Sequence, residues 1–395
     1  MTKGNVKPQI RFSGFHEVWE QRKLGEVAIF INGRAYSQDE LLDEGKYKVL
    51  RVGNFYTNDS WYYSDLELAD KYYAEEGDLL YTWSATFGPH IWHGNKVIYH
   101  YHIWKVELSD KLNKSFALQL LEEDKANILA NKNGSTMVHI TKDGMEQKQI
   151  SIPSNVQEQA QIGAYFEQLD HLITLHQRKY EKLTKVKKSM LEKMFPQDGS
   201  NVPEIRFKGF TDAWEQRKLG DITESYSGGT PTAGKKEYYD GDIPFIRSGE
   251  ISSDKTELFL SEDGLDNSSA KMVKIGDILY ALYGATSGEV SISKLDGAIN
   301  QAILAIKPYP NYDSQFLMQW LRKSKETIIG TYLQGGQGNL SGNIVKELLV
   351  DMPTYSEQKK IGDYFEQLDR LITLHQRKLE KLQNIKKSML EKMFV

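Results

Sequence analysis

The chain contains one long helical segment twice. Residues 162–195 return at 361–394 with 28 of 34 positions identical, and residues 10–25 return at 205–220 with 12 of 16 identical. The blocks between these copies barely resemble each other. A tandem chain with constant helices and different globular parts predicts one frame that presents two unlike surfaces at a fixed distance.

The repeated segments have the pattern of coiled-coil helices. Large, mostly apolar residues recur every seven positions over 157–195 and over 356–394, which predicts pairing along a narrow seam. The seam positions are Ile162, Leu169, His176, Leu183 and Met190 in the first helix and Ile361, Leu368, His375, Leu382 and Met389 in the second. Positions expected on the surface match as well, including the endings 187–195 and 386–394. We therefore expect both helices to show the same outer face to two copies of one partner; the alternatives are a coiled coil that serves only dimerisation, or copies left by a recent duplication or recombination.

The blocks beside the helices have mixed helix and strand patterns, so the expected fold class is α+β. Segments rich in β-branched and aromatic residues predict strands at 47–52, 77–81, 96–100 and 102–106 in the first block and at 243–247, 276–280 and 302–306 in the second. Shorter helices are expected near 114–125 and 314–328. The predicted order is a first globular domain at 1–155, a helix at 156–195, a proline-bounded linker at 196–203, a second domain at 204–355 and a second helix at 356–395.

Composition excludes several classes of protein. The 395 residues suffice for two domains with separate cores. The absence of cysteine excludes disulfides and thiolate metal sites and indicates a reducing cytosol. No apolar run approaches a membrane span, and the first residues have no apolar signal core. The sequence therefore predicts a cytoplasmic protein without a membrane partner.

The charge is distributed unevenly along the chain. Net charge is −4 overall, yet residues 162–195 carry +3 and residues 361–394 carry +2, which leaves −9 for the rest. A protein of this kind does not bind DNA through a general basic coat. Contacts with DNA would have to be local, with a partner supplying much of the affinity for phosphates.

No motif for catalysis stands out. Residues 229–236 nearly spell a phosphate-binding loop, but Pro231 interrupts it and Lys236 stands where Ser or Thr should bind magnesium. Four histidines fall at 90, 93, 100 and 102, where aromatic packing or DNA contact is favoured over zinc. Patterns of hydrolases, zinc proteases, dinucleotide-binding enzymes and amino-methyltransferases do not stand out. We expect no catalytic residue and no metal site in this chain.

Several short stretches occur in the same order in both halves. In the second half they are 205–220, 228–231, 241–247, 276–280 and 352–361; the first half repeats some in weaker form at 49–51, 77–81 and 152–159. It has Asn-Gly-Arg-Ala at 32–35 in place of the Gly-Gly-Thr-Pro loop at 228–231. With these stretches in this order, essentially the whole chain resembles the specificity subunit of Type I restriction–modification systems.

The resemblance implies a non-catalytic DNA-recognition subunit. Its two target-recognition domains would each read half of a bipartite site, and its two helices would pair antiparallel as a ruler. The implied partners are double-stranded DNA, two modification (methyltransferase) subunits and restriction (translocase/nuclease) subunits. S-adenosylmethionine, ATP and Mg²⁺ would belong to those partners, with no cofactor in this chain. Independently, a 34-residue helix measures about 51 Å, or about fifteen base pairs of DNA, and unlike blocks predict a target that is not palindromic.

Candidate DNA-reading residues are polar or aromatic side chains near predicted strand ends and in glycine-rich loops. They are Arg51, Asn54, Trp83, Thr86 and His90 in the first block, and Gly229, Thr230, Arg247, Ser248, Tyr283, Thr286, Gln301, Gln334, Gln337 and Asn339 in the second. Arginine suits guanine, and Asn or Gln suits adenine, in the major groove. A near-bare glycine backbone can approach DNA closely. The alternative for each residue is ordinary hydrogen bonding within its own domain.

Two histidines interrupt the apolar seam. His176 and His375 lie near the middle of their helices, and a polar seam residue commonly fixes register at some cost in stability. We expect them to meet near the crossing of the helices; the alternative is that each packs in the seam with a nitrogen facing water. For the chain as a whole, the alternative function is a two-headed coiled-coil scaffold that binds proteins or glycans.

Overall fold

The polypeptide folds into two compact units that share both long helices. The structure is a computed structural model and describes residues 7–56, 58–84, 86–131, 140–197, 199–333 and 339–394. Unit 1 comprises Met1–Gln177 and Arg377–Val395, and unit 2 comprises Arg178–Gln376. The division falls inside both helices, so the units differ from the linear domains drawn at residues 155 and 355. The reason is that helix halves distant in sequence bury apolar surface in one core.

Unit 1 is built, within the described residues, from ten short strands, two helices of its own and part of each long helix. The strands are β1 (Glu20–Lys23), β2 (Ala28–Asn32), β3 (Tyr47–Leu50), β4 (Tyr62–Ser64), β5 (Tyr73–Ala74), β6 (Leu79–Thr82), β7 (Gly88–Ile91), β8 (Val97–Tyr99), β9 (Ile103–Leu108) and β10 (Gln149–Ile152). The helices are α1 (Lys114–Ala130), α2 (Lys142–Glu146) and α3 (Val156–Lys193), of which α3 continues into unit 2.

Unit 2 also has ten strands where the structure is described, and its helices are α4 to α8 with parts of α3 and α9. The strands are β11 (Glu215–Lys218), β12 (Thr223–Ser227), β13 (Ile243–Ile246), β14 (Phe259–Leu260), β15 (Lys271–Val273), β16 (Ile278–Ala281), β17 (Val290–Ile292), β18 (Gly297–Ile299), β19 (Ile303–Pro308) and β20 (Leu349–Met352). The helices are α4 (Leu219–Ile222), α5 (Glu262–Asp266), α6 (Ser314–Lys323), α7 (Lys325–Tyr332), α8 (Gly342–Lys346) and α9 (Tyr355–Met393).

The two units have the same sheet topology although their blocks differ in sequence. Unit 1 has sheets ordered β1-β10, β2-β9-β6-β7 and β4-β3-β8-β5; unit 2 has β11-β20, β12-β19-β16-β17 and β14-β13-β18-β15. In each unit one central pair, β3 with β8 or β13 with β18, is parallel. The α+β class is confirmed, and every strand predicted from β-branched and aromatic runs is present within a few residues.

The residues at and just beyond the end of each long helix anchor one core. Phe394 packs on Phe116 in unit 1, and Phe195 packs on Phe316 in unit 2, with ring centroids 5.2 Å apart in both cases. Both terminal phenylalanines are buried, as are the methionines that precede them. The expectation that the identical helix endings lie on the surface is therefore wrong for these Met-Phe pairs, which are identical because each fills the same kind of core.

Within each unit the two helix halves run antiparallel. In unit 1, Lys386 Nζ of α9 lies 2.6 Å from Asp170 Oδ1 of α3, near the packing of Phe394 on Phe166. In unit 2, Lys187 of α3 pairs with Asp369 of α9 at 2.5 Å. The seam residues at both ends of each helix pack in or against these cores. The antiparallel arrangement and the apolar seam are thus confirmed inside each unit.

The repeated segments 10–25 and 205–220 close each unit around the helix ends. The backbone N–H of Ile10 donates to Lys392 at 3.0 Å, and that of Ile205 donates to Lys193 at 2.9 Å. Next to these contacts, Arg11 forms two hydrogen bonds with Glu158 at 2.6 and 2.7 Å. Arg206 does the same with Glu357, both at 2.7 Å. The repeated segments are therefore part of the frame that holds the start of one helix to the end of the other.

Among the described residues, none of the helices combines the length and the apolar character that crossing a bilayer requires.

Candidate nucleic-acid interface

In each unit the loops that follow the parallel strands meet at one edge of the sheet. Leu50 pairs with Tyr99 at the end of β3 and β8, so the loops that begin at Arg51 and His100 leave the sheet side by side. Thr82 pairs with Ile103, which brings the loop after β6 to the same place. We call residues 51–56, 83–84, 86–90 and 100–102 the unit 1 edge.

The matching loops form a second edge in unit 2. Ile246 pairs with Ile299 at the end of β13 and β18, and Ala281 pairs with Ile303. Residues 228–230, 247–251, 283–289, 300–302 and 339 are called the unit 2 edge. Most candidate residues from the sequence, although scattered over about 40 and 110 positions, thus lie on these two surfaces.

On the unit 1 edge, Arg51 and Asn54 are engaged by the domain itself. Asn54 Oδ1 accepts from the Arg51 N–H at 3.0 Å, while Asn54 Nδ2 donates to the carbonyls of Asn58 and Ser60 at 3.0 and 2.9 Å. The Arg51 guanidinium lies 4.2 Å from the centroid of the Tyr62 ring. Asn54 thus caps the loop and has no spare amide hydrogen for adenine, which corrects its assignment as a base reader, whereas Arg51 keeps its charge near the edge.

His90 is a packing residue at the same edge. Its ring stacks on Phe55 at 4.1 Å, and its Nε2 lies 3.1 Å from the hydroxyl of Tyr56. Burial lowers the pKa of His90 to about 4, so the imidazole is neutral near pH 7. Tyr56 is 41% exposed and Thr86 is also exposed. His90 therefore supports exposed neighbours and contributes no charge to the surface.

An aromatic cluster occupies the other end of the unit 1 edge. Trp83 Nε1 donates to the carbonyl of Tyr101 at 2.9 Å, and the two rings lie 6.1 Å apart. The Tyr101 ring has His100 and His102 as neighbours, with centroids at 4.4 and 3.9 Å. Burial lowers the pKa of His100 to about 4, and it also lowers the pKa of His102. This end of the edge is aromatic and uncharged near neutral pH.

Arg247 on the unit 2 edge is surrounded by carboxylates. Its Nη2 lies 2.8 Å from Glu250 and 2.8 Å from Glu257, and hydrogen bonds to these two side chains raise the pKa of Arg247. Two carboxylates around one guanidinium leave a net negative charge, which repels phosphate. Ser248 begins the short 3-10 helix beside them and is half-buried. Position 54 in unit 1 corresponds to Glu250, so the two edges differ electrostatically at equivalent places.

The Gly-Gly-Thr-Pro loop owes its glycines to close packing. The amides of Gly228 and Gly229 donate to the carbonyls of Ile303 and Ile299 at 3.4 and 3.1 Å. A Cβ at Gly228 would overlap the carbonyl of Ile299, and one at Gly229 would overlap the Ser269 side chain. Because its amide is already bonded, Gly229 cannot donate that N–H to a DNA phosphate. The loop instead brings exposed Thr230 to the edge.

Thr230 contacts the second polar cluster of the unit 2 edge. Its hydroxyl donates to Gln301 Oε1, and the Tyr283 side chain lies next to the same glutamine. Asn339 forms a backbone bridge with Tyr283 and is exposed. Half-buried Thr286 lies in the same loop as Tyr283. Four residues that the sequence separates by more than 100 positions are thus brought together.

The remaining candidates are outside these two clusters. Gln334 and Gln337 fall outside the described residues. His176 and His375 are half-buried on their helices, and their role in register stays a prediction. Asp170 of α3 faces Lys386 of α9. His176 lies six residues after Asp170, so in an antiparallel pair it lies opposite the residue six positions before Lys386, which is residue 380.

Tyr101 lies on the unit 1 edge but was not among the residues predicted from the sequence. Tyr101 follows β8 by two residues, as Gln301 follows β18 by two residues, and both precede the next strand by two. Trp83 and Tyr283, or Thr86 and Thr286, were selected in both halves at an offset of 200. Applying the same offset to Gln301 would have found Tyr101.

Comparison with known proteins decides what these edges belong to. The family model described as "Type I restriction modification DNA specificity domain" matches residues 16–185 and again residues 211–384. The chain belongs to this family. The two matches cover both units, so the chain is a tandem specificity protein whose family role is to select a DNA target, not to carry out catalysis.

Relatives match the specificity chain over most of its length or over part of it. It is 25% identical over 398 residues to the MjaVIII specificity subunit of Methanocaldococcus jannaschii, covering 95% of this chain and 91% of that protein. It is 25% identical over 167 residues to the EcoR124I/EcoR124II specificity subunit of Escherichia coli, 40% of this chain and 41% of that one. The crystal structure of a Type I restriction–modification S subunit from M. genitalium has a TM-score of 0.73 at 17% identity and covers 99% of both chains. That likeness confirms the fold.

Proposed function

We propose that this chain is the DNA-recognition subunit of a cytoplasmic Type I restriction–modification complex, with each unit reading one half of a bipartite target that is not palindromic. The two helices set the gap between the half-sites and dock two modification subunits, to which restriction subunits are added. S-adenosylmethionine, ATP and Mg²⁺ act in those partners. Sequence specificity is thereby separated from the chemistry.

The observation that carries this proposal is that the two units share one fold but have different edges. Both units share one topology and the same helix anchors, yet the unit 1 edge is aromatic and the unit 2 edge carries hydroxyl and amide groups. Bases are distinguished by the hydrogen-bond donors, acceptors and apolar groups that they present in the grooves of DNA. The unit 1 edge and the unit 2 edge carry different side chains, so they read different sequences. Equal frames with unlike edges favour a target with two different halves.

The repeated helices supply the expected docking surface for modification subunits. Leu172 and Leu175 on α3 are 40% and 37% exposed, and their equivalents on α9, Leu371 and Leu374, are 43% and 44% exposed. Exposed leucines at equivalent places in both copies suit an apolar contact with two copies of one partner. The basic residues that follow them, at 178–179 and 377–378, extend both surfaces in the same way.

Exchange of one block tests whether each unit reads its own half of the target. The chain with residues 204–355 replaced by the equivalent block of another family member is combined with its modification subunits and labelled S-adenosylmethionine. We expect methylation to follow a target altered in one half only. Methylation of all sequences, or a change in both halves, would contradict the proposal.

A stoichiometry measurement tests the docking surface. We expect Leu172→Glu with Leu175→Glu to reduce the bound modification subunits from two to one, and the same changes at Leu371 and Leu374 to remove the other. Ile275→Glu, at a residue that is 66% exposed outside the helices, is the matched control and should keep both. Mass photometry of the purified complexes distinguishes these outcomes; two bound subunits in every variant would place docking elsewhere.

A further inference from the structure

Two turns occupy equivalent places at the centre of the two edges. In unit 1 the turn between β8 and β9 presents Tyr101, and in unit 2 the turn between β18 and β19 presents Gln301. The same backbone bonds fix both turns: Gly33 donates to Ile103 as Gly228 donates to Ile303. Tyr101 is 39% exposed and Gln301 is exposed as well. The same turn, fixed by the same backbone hydrogen bond, therefore presents two chemically different side chains to solvent.

In unit 2 the neighbours of the turn fix the orientation of the amide. The Thr230 hydroxyl donates to Gln301 Oε1, and this bond sets which way the amide faces. With its oxygen engaged, Gln301 has its Nε2 hydrogens available to a partner. A donor in this position suits an acceptor on a base edge, such as guanine O6 or N7 or thymine O4. The two-point contact that glutamine makes with adenine also needs Oε1, whose direction is fixed by Thr230, so the contact through Nε2 alone is favoured here.

In unit 1 the neighbours fix a ring instead. The His100 and His102 rings lie beside Tyr101 at 4.4 and 3.9 Å, and the indole of Trp83 holds the Tyr101 carbonyl. The surroundings supply aromatic carbon and no carboxylate among these contacts. Such a surface suits an apolar base edge, for which the thymine methyl group is the candidate in the major groove.

We propose that these two turns carry the base-discriminating position of each half-site, with Gln301, oriented by Thr230, selecting a base-edge acceptor and Tyr101 selecting the methyl edge of thymine. This inference rests on the proposed function, since it assumes that both edges meet DNA. Thr230 is a positioning residue, because it acts only through the Gln301 amide. Arg51 and Arg247 are excluded from this position because their side chains are held by their own units.

The test uses the full chain in complex with its modification subunits and a library of duplexes randomised at each position of the target. Wild-type complex first defines the two half-sites and the preference at every base pair. We expect Gln301→Ala to lower discrimination at one base pair of one half-site by about 5- to 150-fold, the range of a good base contact. Tyr101→Ala should do the same at one base pair of the other half-site. Gln216→Ala, an exposed glutamine on β11, is the matched control and should change no preference.

The positioning role of Thr230 has its own outcome. Thr230→Val should relax the same base pair as Gln301→Ala, and Thr230→Ser, which keeps the hydroxyl, should restore it. Uniform loss of binding to all sequences, or relaxation at a different base pair, would overturn the proposal. A wild-type complex without any two-part preference would instead refute the proposed function, so the two failures are distinguishable.

Discussion

The buried ion pair between Arg206 and Glu357 should decide the stability of unit 2. The Arg206 side chain is 12% exposed and that of Glu357 is 0% exposed, and two hydrogen bonds of 2.7 Å join them. Replacing Arg206 by Met leaves a carboxylate buried without its partner. Breaking a buried pair in this way costs about 3–5 kcal/mol. For a unit of this size, that corresponds to a melting temperature lower by about 6–20 °C.

An exposed pair in the same unit provides the control. Arg217 and Glu215 are 53% and 72% exposed, and pairs in water contribute about 0–1 kcal/mol. Arg217→Met should therefore change the melting temperature little. The double variant Arg206→Met with Glu357→Leu removes both charges and should recover much of the loss, since no carboxylate stays buried alone.

Thermal unfolding followed by tryptophan fluorescence measures the effect, with hydrogen exchange of peptides from unit 2 to assign it to that unit. The refuting result is a loss in Arg206→Met no larger than in Arg217→Met. A double variant less stable than Arg206→Met would equally contradict the argument, because it would show that packing of the long side chains, and not the unpaired charge, dominates.

Three further predictions follow from the helices and the unit 1 edge. Inserting seven residues after Leu183 and seven after Leu382 lengthens both helices by about 10 Å; the preferred gap should grow with unchanged half-sites in methylation of duplexes with graded gaps, and an unchanged gap in a folded variant would remove the ruler role. Replacing His176 and His375 together by Leu should raise the melting temperature but loosen discrimination against wrong gaps; lower stability or an unaltered gap preference would count against a role in register. His90 has a folded-state pKa of about 4 against its usual 6.5, so the unfolded chain takes up the proton first on acidification, and this contribution to unit 1 stability is complete above about pH 6.5 and is lost progressively toward pH 4. His90→Phe should flatten that part of the curve of unfolding free energy against pH, and an unchanged slope would refute the burial argument.

Local patterns in the sequence were enough for the elements and for the family. The seven-residue period predicted helices over 157–195 and 356–394, and the structure has them at Val156–Lys193 and Tyr355–Met393. The strands followed from runs of β-branched and aromatic residues. These predictions succeed because the periodicity of a helix or strand is set by neighbours a few residues apart. The ordered motifs in two copies likewise led to the specificity family, which the family match confirms.

The roles of single polar residues depended on partners far away in the chain. Asn54 has the amide side chain that suits adenine. In the fold, however, this amide donates to the carbonyls of Asn58 and Ser60 and caps a loop. Gly229 was predicted to contact DNA, but its backbone N–H donates to the carbonyl of Ile299 in β18. Tyr101 was overlooked although the parallel pairing of β3 with β8 places it among the candidates.

The sequence by itself thus determined which segments are helix and strand, that they occur twice, and which family they belong to. Only the tertiary structure decided that each core takes half of both helices, that the identical Met-Phe endings are buried anchors, and which side chains remain available to DNA. The physical reason is that secondary structure follows from contacts between near neighbours. Burial and hydrogen-bond satisfaction follow from pairings across more than a hundred residues, such as Lys386 with Asp170 or Arg206 with Glu357, which no local pattern records.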